Sequence, residues 1–160
     1  MRQAVAQTTR EIMDTRFQTL TPEMSISEAV RIFEQAGKET GQPVFGMMVT
    51  DAQNRLVGML SLYDILLLLR PKHIHIWGEM DDLDISGFLE EACRRAKALR
   101  VGDIMTTEVI TVTPETHLLM IIDIMIKKHI RRLPVLEEGK ILGIVYFSKV
   151  FNCLLARLRD

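Results

Sequence analysis

The spacing of apolar residues changes period several times along the chain, and the order of those changes occurs twice. Ile26, Ala29, Val30 and Phe33 stand at i, i+3, i+4 and i+7, the stripe of a helix packed on one side. Two short β-rich runs follow, Phe45 to Thr50 and Leu56 to Leu60, and Asp51-Ala-Gln-Asn-Arg55 between them predicts a hairpin. A second apolar helix is expected from about Tyr63 to Leu69. Further on, Leu118, Ile121, Ile122 and Met125 repeat the helical stripe. Leu133 to Leu136 and Ile141 to Tyr146 repeat the hairpin around Glu137-Glu-Gly-Lys140, and a helix from about Ser148 to Leu158 closes the second copy. Thr21-Pro22-Glu23 and Thr113-Pro114-Glu115 predict helix starts, Pro and Glu being suited to a first turn, with Ser25 or Ser27 as an alternative N-cap in the first copy.

Residue identities follow the same repeat. Arg10-Glu-Ile-Met13 matches Gly102-Asp-Ile-Met105, and Thr19-Leu-Thr-Pro-Glu23 matches Thr111-Val-Thr-Pro-Glu115, both 92 positions apart. Leu56-Val-Gly-Met-Leu60 matches Ile141-Leu-Gly-Ile-Val145 at 85 positions, so the first copy is seven residues longer in its middle. Gly37, Gly41 and Pro43 place most of that excess in a loop from Gly37 to Phe45. Each copy is a short strand, a helix, two strands and a helix in roughly 55 to 60 residues, too few to bury a core comfortably alone. The expected fold is therefore α/β, with two pseudo-twofold-related units, each a small mixed sheet with two packing helices. Repeat 1 spans 8–70, a connector 71–98 and repeat 2 99–160. The connector is longer than most linkers; its part from Asp84 to Leu99 is predicted helical, with Phe88, Leu89, Ala92, Cys93 and Ala96 on one side.

Tandem units that open on a D-I-M turn and T-h-T-P-E and close on h-h-G-h-h-[ST]-x-x-D resemble a pair of CBS domains standing alone, without an attached enzyme or channel. Met13, Thr21-Pro22 and Gly58-Met-Leu-Ser-Leu-Tyr-Asp64 carry the resemblance in repeat 1. Val101-Gly-Asp-Ile-Met-Thr106, Val112-Thr-Pro114, His129-Ile-Arg-Arg-Leu-Pro-Val135 and Gly143-Ile-Val145 carry it in repeat 2. The resemblance implies a regulatory module whose clefts bind AMP, ADP, ATP or another adenosyl compound. In such clefts the base lies among apolar strand residues, the closing Asp accepts from the ribose hydroxyls, and the [ST] faces the phosphates at a helix start. The chemistry is sound, because a helix N-terminus offers free N–H groups and positive potential to an anion.

Carried over by residue, the cleft closed by repeat 1 keeps Met59, Ser61 and Asp64, with Thr106, Val109 and Thr111 as its other wall. A gapped alignment sets Gly46 against Arg132. The cleft closed by repeat 2, with Ile144 on its strand, departs from the pattern: Tyr146 replaces the [ST] and Lys149 the Asp. An ammonium only donates, so Lys149 cannot accept from ribose. His129, Arg131, Arg132 and Lys149 instead gather opposite Thr15, Phe17 and Thr19, suited to a polyphosphate tail or another anion, or to nothing. Simpler readings stand beside these: Ser61 and Asp64 as a helix cap, Arg131 and Arg132 as a solvated turn paired with acids such as Glu137, Lys149 as a surface residue.

Composition narrows the function classes. Twenty Lys plus Arg against 21 Asp plus Glu give a net charge of −1, so no global field favours nucleic acid or an anionic membrane. Tyr63, Trp77 and Tyr146 form no spaced aromatic and basic platform. No Ser-His-Asp ordering, P-loop, GxGxxG or HExxH is present, so neither a catalytic residue nor an enzyme is expected. His73-Ile-His75-Ile-Trp77 predicts a surface or interface segment rather than a metal site, and the ten Met residues are read as adaptable packing. Cys93 and Cys153 lack partners at zinc or CxxC spacing and are expected as buried free thiols in a reducing compartment. Without a visible signal peptide or a run of the roughly 20 apolar residues a span needs, the expectation is a cytoplasmic protein that binds a small adenine nucleotide. The resemblance implies a homodimer, for which Ile65-Leu-Leu-Leu-Leu69, Val150, Phe151, Leu154 and Leu155 are apolar enough to supply the face, and a second subunit or a regulated protein partner is expected to read the ligand state. The alternative function is a constitutive dimerisation scaffold with empty clefts.

Overall fold

The order of elements follows the repeat, but space divides the chain differently. The computed structural model describes residues 8–70 and 86–159, so the start of the connector, with its His73 and His75, lies outside the described residues. Two compact units form. The amino unit combines 18–52, 57–70 and 86–107, and the carboxyl unit 8–17, 53–56 and 108–159. Each takes its opening segment from one repeat and its body from the other.

In the amino unit β1 (Thr19–Leu20) runs parallel to β2 (Gly46–Thr50), and β3 (Leu56–Ser61) flanks β2 on its other side. Helix α2 (Ile26–Thr40) presents Ile26, Ala29, Phe33 and Ala36 to a core with Leu20, Met47, Val49, Leu60 and Val101. Helix α3 (Leu62–Leu69) follows β3 directly, and α4 (Ser86–Ala98) packs against α2 and α3. In the carboxyl unit α6 (Leu118–Lys128), the antiparallel hairpin β4 (Arg132–Glu137) and β5 (Lys140–Tyr146), and α7 (Phe147–Arg159) surround Ile12, Val112, Leu118, Ile121, Met125, Leu133, Val135, Val145 and Val150. Its two-residue turn needs positive φ at both positions, and Glu138 and Gly139 have φ of 50° and 80°.

Helices α2 and α6 start after Thr21-Pro22-Glu23 and Thr113-Pro114-Glu115, and the first takes the alternative N-cap, Ser25. Helix α2 begins at Ile26 behind a complete Ser25/Glu28 capping box, leaving Thr21-Pro22-Glu23 outside it. Helix α6 begins at Leu118, where the His117 ring nitrogen accepts from the Leu119 N–H and so caps the helix. Gly37 lies inside α2, which ends at Gly41 in the left-handed conformation; the longer middle of repeat 1 is partly extra helix rather than loop. Val150, expected on the dimer face, is core, and Cys93 and Cys153 are free but half-buried.

Two single-turn helices, α1 (Thr9–Ile12) and α5 (Val101–Ile104), anchor the exchanged openings with matching hydrogen bonds. The N–H groups of Thr9 and Arg10 donate to the carbonyls of Thr116 and Pro114, each at 2.9 Å. Ninety-two residues on, those of Val101 and Gly102 donate to Met24 and Pro22 at 2.8 and 2.9 Å.

Candidate functional site

Where each opening ends, it pairs with the closing strand of the other repeat. In the amino unit the Met59 N–H donates to the Thr106 carbonyl at 2.9 Å and the Thr106 N–H to that of Met59 at 2.8 Å. The backbones approach this closely because residue 58 is glycine: a Cβ there would stand 2.9 Å from the Thr106 carbonyl oxygen and 2.6 Å from the Met105 sulfur. Two residues past Met59, Ser61 caps α3. Its hydroxyl accepts from the Asp64 N–H at 3.1 Å, while Asp64 Oδ2 accepts from both the N–H and the hydroxyl of Ser61, each at 2.9 Å. Met59, Ser61 and Asp64 are half-buried and Thr106 is exposed, so strand end, exchanged opening and helix start share one accessible corner.

The carboxyl unit repeats this corner with different chemistry. Asp14 and buried Ile144 exchange backbone bonds of 2.8 and 3.0 Å, and a Cβ on Gly143 would stand 2.5 Å from the Asp14 carbonyl oxygen. Tyr146 ends β5 opposite Arg132 and occupies the position of Ser61. Burial pushes its phenol up from the ordinary value, the nearby Asp14 carboxylate raises it further, and Arg132 opposes both. Lys149 is exposed on the first turn of α7, where Asp64 stands in α3. The Phe147 N–H donates to the Arg131 carbonyl at 2.8 Å, as the Leu62 N–H does to Phe45 at 2.8 Å. That shared bond sets Arg131 against Phe45, and Arg132 against Gly46 as the sequence alignment had them.

A family model described as CBS domain matches residues 10–71 and again residues 101–156. The chain belongs to the CBS domain family. It is 38% identical over 69 residues, 42% of this chain, to the CBS domain-containing protein CBSX3, mitochondrial, of Arabidopsis thaliana. It is 26% identical over 142 residues, 89% of this chain, to the uncharacterized protein MJ1225 of Methanocaldococcus jannaschii. The chain spans 34% and 41% of the lengths of these two relatives. Among solved structures it is similar to the CBS-pair protein CBSX2 of Arabidopsis thaliana, with a TM-score of 0.72 and 25% identity over 96% of this chain and 97% of that one. CBSX2 has also been solved in complex with AMP.

In this CBS pair, Met59, Ser61, Asp64 and Thr106 fall within the amino unit, and Arg131, Arg132, Ile144, Lys149, Thr15 and Phe17 within the carboxyl unit. Val109 and Thr111 fall in the carboxyl unit, whose second half begins at Glu108. Thr19 lies on β1 of the amino unit, its hydroxyl accepting from that of Thr50 at 3.3 Å. Two site residues escaped the sequence reading, Asp14 and Phe45. The spacing of 92 that aligned the openings already sets Asp14 against Thr106.

Proposed function

We propose that this CBS pair is a regulatory, non-catalytic module that binds adenine nucleotides or related adenosyl ligands at its two corners. The single observation that carries the reading is the doubled corner itself, in which an exchanged opening, a strand end made tight by glycine and a helix N-terminus meet. The AMP complex of the similar CBSX2 supports the same chemistry. At the amino corner Met59 lies beneath the base and the free oxygen of Asp64 accepts from a ribose hydroxyl. At the carboxyl corner Arg131, Arg132 and Lys149 attract a phosphate tail, with Asp14 as the acceptor that Lys149 cannot be. A ligand that favours one arrangement of the helices passes its state to a second subunit or a regulated protein partner in the cytoplasm. The subunit contact proposed is a homodimer through exposed apolar residues of α3 and α7, Leu66 and Leu67 with Phe151 and Leu155.

Isothermal titration of AMP and ATP tests the reading. Saturable binding weakened by Asp64→Ala or Lys149→Ala is expected; no saturable binding of any adenosyl ligand overturns it. The second reading, a scaffold with empty corners, draws on the Ser61/Asp64 capping box, which is complete without a ligand. Mass spectrometry of the denatured protein separates the two, since a co-purified nucleotide is expected only of the first.

A further inference from the structure

The first long helices of the two repeats bury the same positions and differ in what they leave outside. Ile26, Ala29 and Phe33 of α2 and Leu118, Ile121 and Met125 of α6, matched 92 residues apart, are buried in each. On the outward side the same spacing sets Ser27, Glu28 and Glu34 of α2 against Leu119, Met120 and Ile126 of α6. Those three apolar residues are 71%, 53% and 63% exposed. Leu119, half-buried Ile122 and Ile126 stand at i, i+3 and i+7, a second stripe with the spacing by which one helix packs on another. A stripe of this kind left in water marks a contact surface.

The amino unit shows what covers such a layer: α4 packs against both α2 and α3, with Ala96 buried. In the carboxyl unit α6 and α7 pack on each other, and among the described residues no third helix longer than one turn joins that unit. Charge narrows the occupant further. Among the described residues the carboxyl unit carries 11 Lys and Arg against seven Asp and Glu, and the amino unit seven against nine. Lys127 is paired with Asp123 at 3.2 Å, while exposed Lys128 and Arg131 stand at the carboxyl end of the stripe. A second copy would set this positive unit against itself, whereas an acidic surface is drawn to it. We infer that the outer face of α6 docks an amphipathic helix of a partner protein, apolar on one side and acidic on the other, much as α4 lies on α2 and α3. This contact is separate from the nucleotide corners and from the α3 and α7 residues proposed for the dimer.

The test titrates the full chain into fluorescent synthetic helices of about five turns, each with Leu on one face and Glu, Gln or Lys on the other, and reads anisotropy. The Glu helix should bind saturably and about tenfold more tightly than the Lys helix, with salt narrowing the gap. Leu119→Glu with Ile126→Glu should weaken that binding by about tenfold or more while circular dichroism stays unchanged, since both side chains lie outside the core. Lys128→Glu should weaken it by about threefold. A Glu helix that does not bind, that binds no better than the Lys helix, or that binds the doubly substituted chain equally well overturns the inference. Phosphatidylcholine vesicles containing phosphatidylserine, bound through Leu119 and Ile126 when the Glu helix is not, assign the face to a membrane instead. A dimer that the double substitution turns into a monomer in sedimentation velocity assigns it to a second copy, and either result overturns the inference.

Discussion

Ser61 and Asp64 answer to one pattern and two purposes. The [ST]-x-x-D spacing that marks the ligand corner in the family is also the spacing of a capping box, because both depend on a side chain three residues into a helix reaching back to its start. The sequence could not separate the purposes, and the geometry now shows the cap formed. Asp64→Ala should therefore cost about 1 kcal/mol of stability with no ligand present, measured by urea denaturation. At the carboxyl corner burial, and after it Asp14, push the Tyr146 phenol above its ordinary value against the opposing Arg132. A folded-state pKa above the unfolded value near 10 means that stability is intact below that pH and is lost as pH rises through it. Denaturation midpoints between about pH 9 and 11 should fall more steeply in the wild type than in Tyr146→Phe. In a Tyr63→Phe background, alkaline absorbance titration should place the Tyr146 phenol above its ordinary value and bring it down on Asp14→Asn. Asp14 was overlooked because motif reading starts from residues that match, and this one departs from its partner Thr106.

Among the elements, periodicity located the strands, α3, α4 and α7 within a residue or two, since burial on one face is written directly into spacing, but α2 runs on through Gly37 to Thr40. Helix starts were harder, because a cap is decided by one side chain: Ser25 and His117 do what Pro22 and Pro114 suggested. The exchange of openings was implied by family resemblance and invisible to periodicity, since nothing in Thr9 to Met13 records which body it joins. Its tightest points are Gly58 and Gly143. Gly143→Ala drives a Cβ against the backbone of Asp14 rather than against a flexible side chain, so a loss of about 2 kcal/mol or more is expected, and Gly58→Ala should behave alike. The Arg10 guanidinium, held by Glu115 at 2.8 Å and close to Glu137, ties the same opening down only at the surface. Arg10→Ala should shift the thermal midpoint far less than Gly143→Ala does.

For the whole molecule, the repeats read from sequence and the units formed in space are different partitions. A chain cut within 71–85 yields two fragments that each lack the opening their own body requires. Each alone should show weak circular dichroism and poor amide dispersion, whereas mixing them should restore the native spectrum. Apolar residues also remain exposed on both units, Tyr63 at 69% and Leu158 at 75% among them. The proposed homodimer predicts that the unaltered chain sediments as a dimer and the Leu66→Glu, Phe151→Glu variant as a monomer. No helix among the described residues is long and apolar enough to cross a membrane.

The hydrogen bonds of Thr9 reach residue 116, a separation of 107 residues. During synthesis at about 5–20 residues per second, that opening waits roughly 5–20 s with Ile12 uncovered before its partner emerges from the ribosome. Contacts of such range make for slow closure as well. The carboxyl unit therefore forms only once residue 116 and the segments after it have been made, and the opening at Thr9 finds its place late.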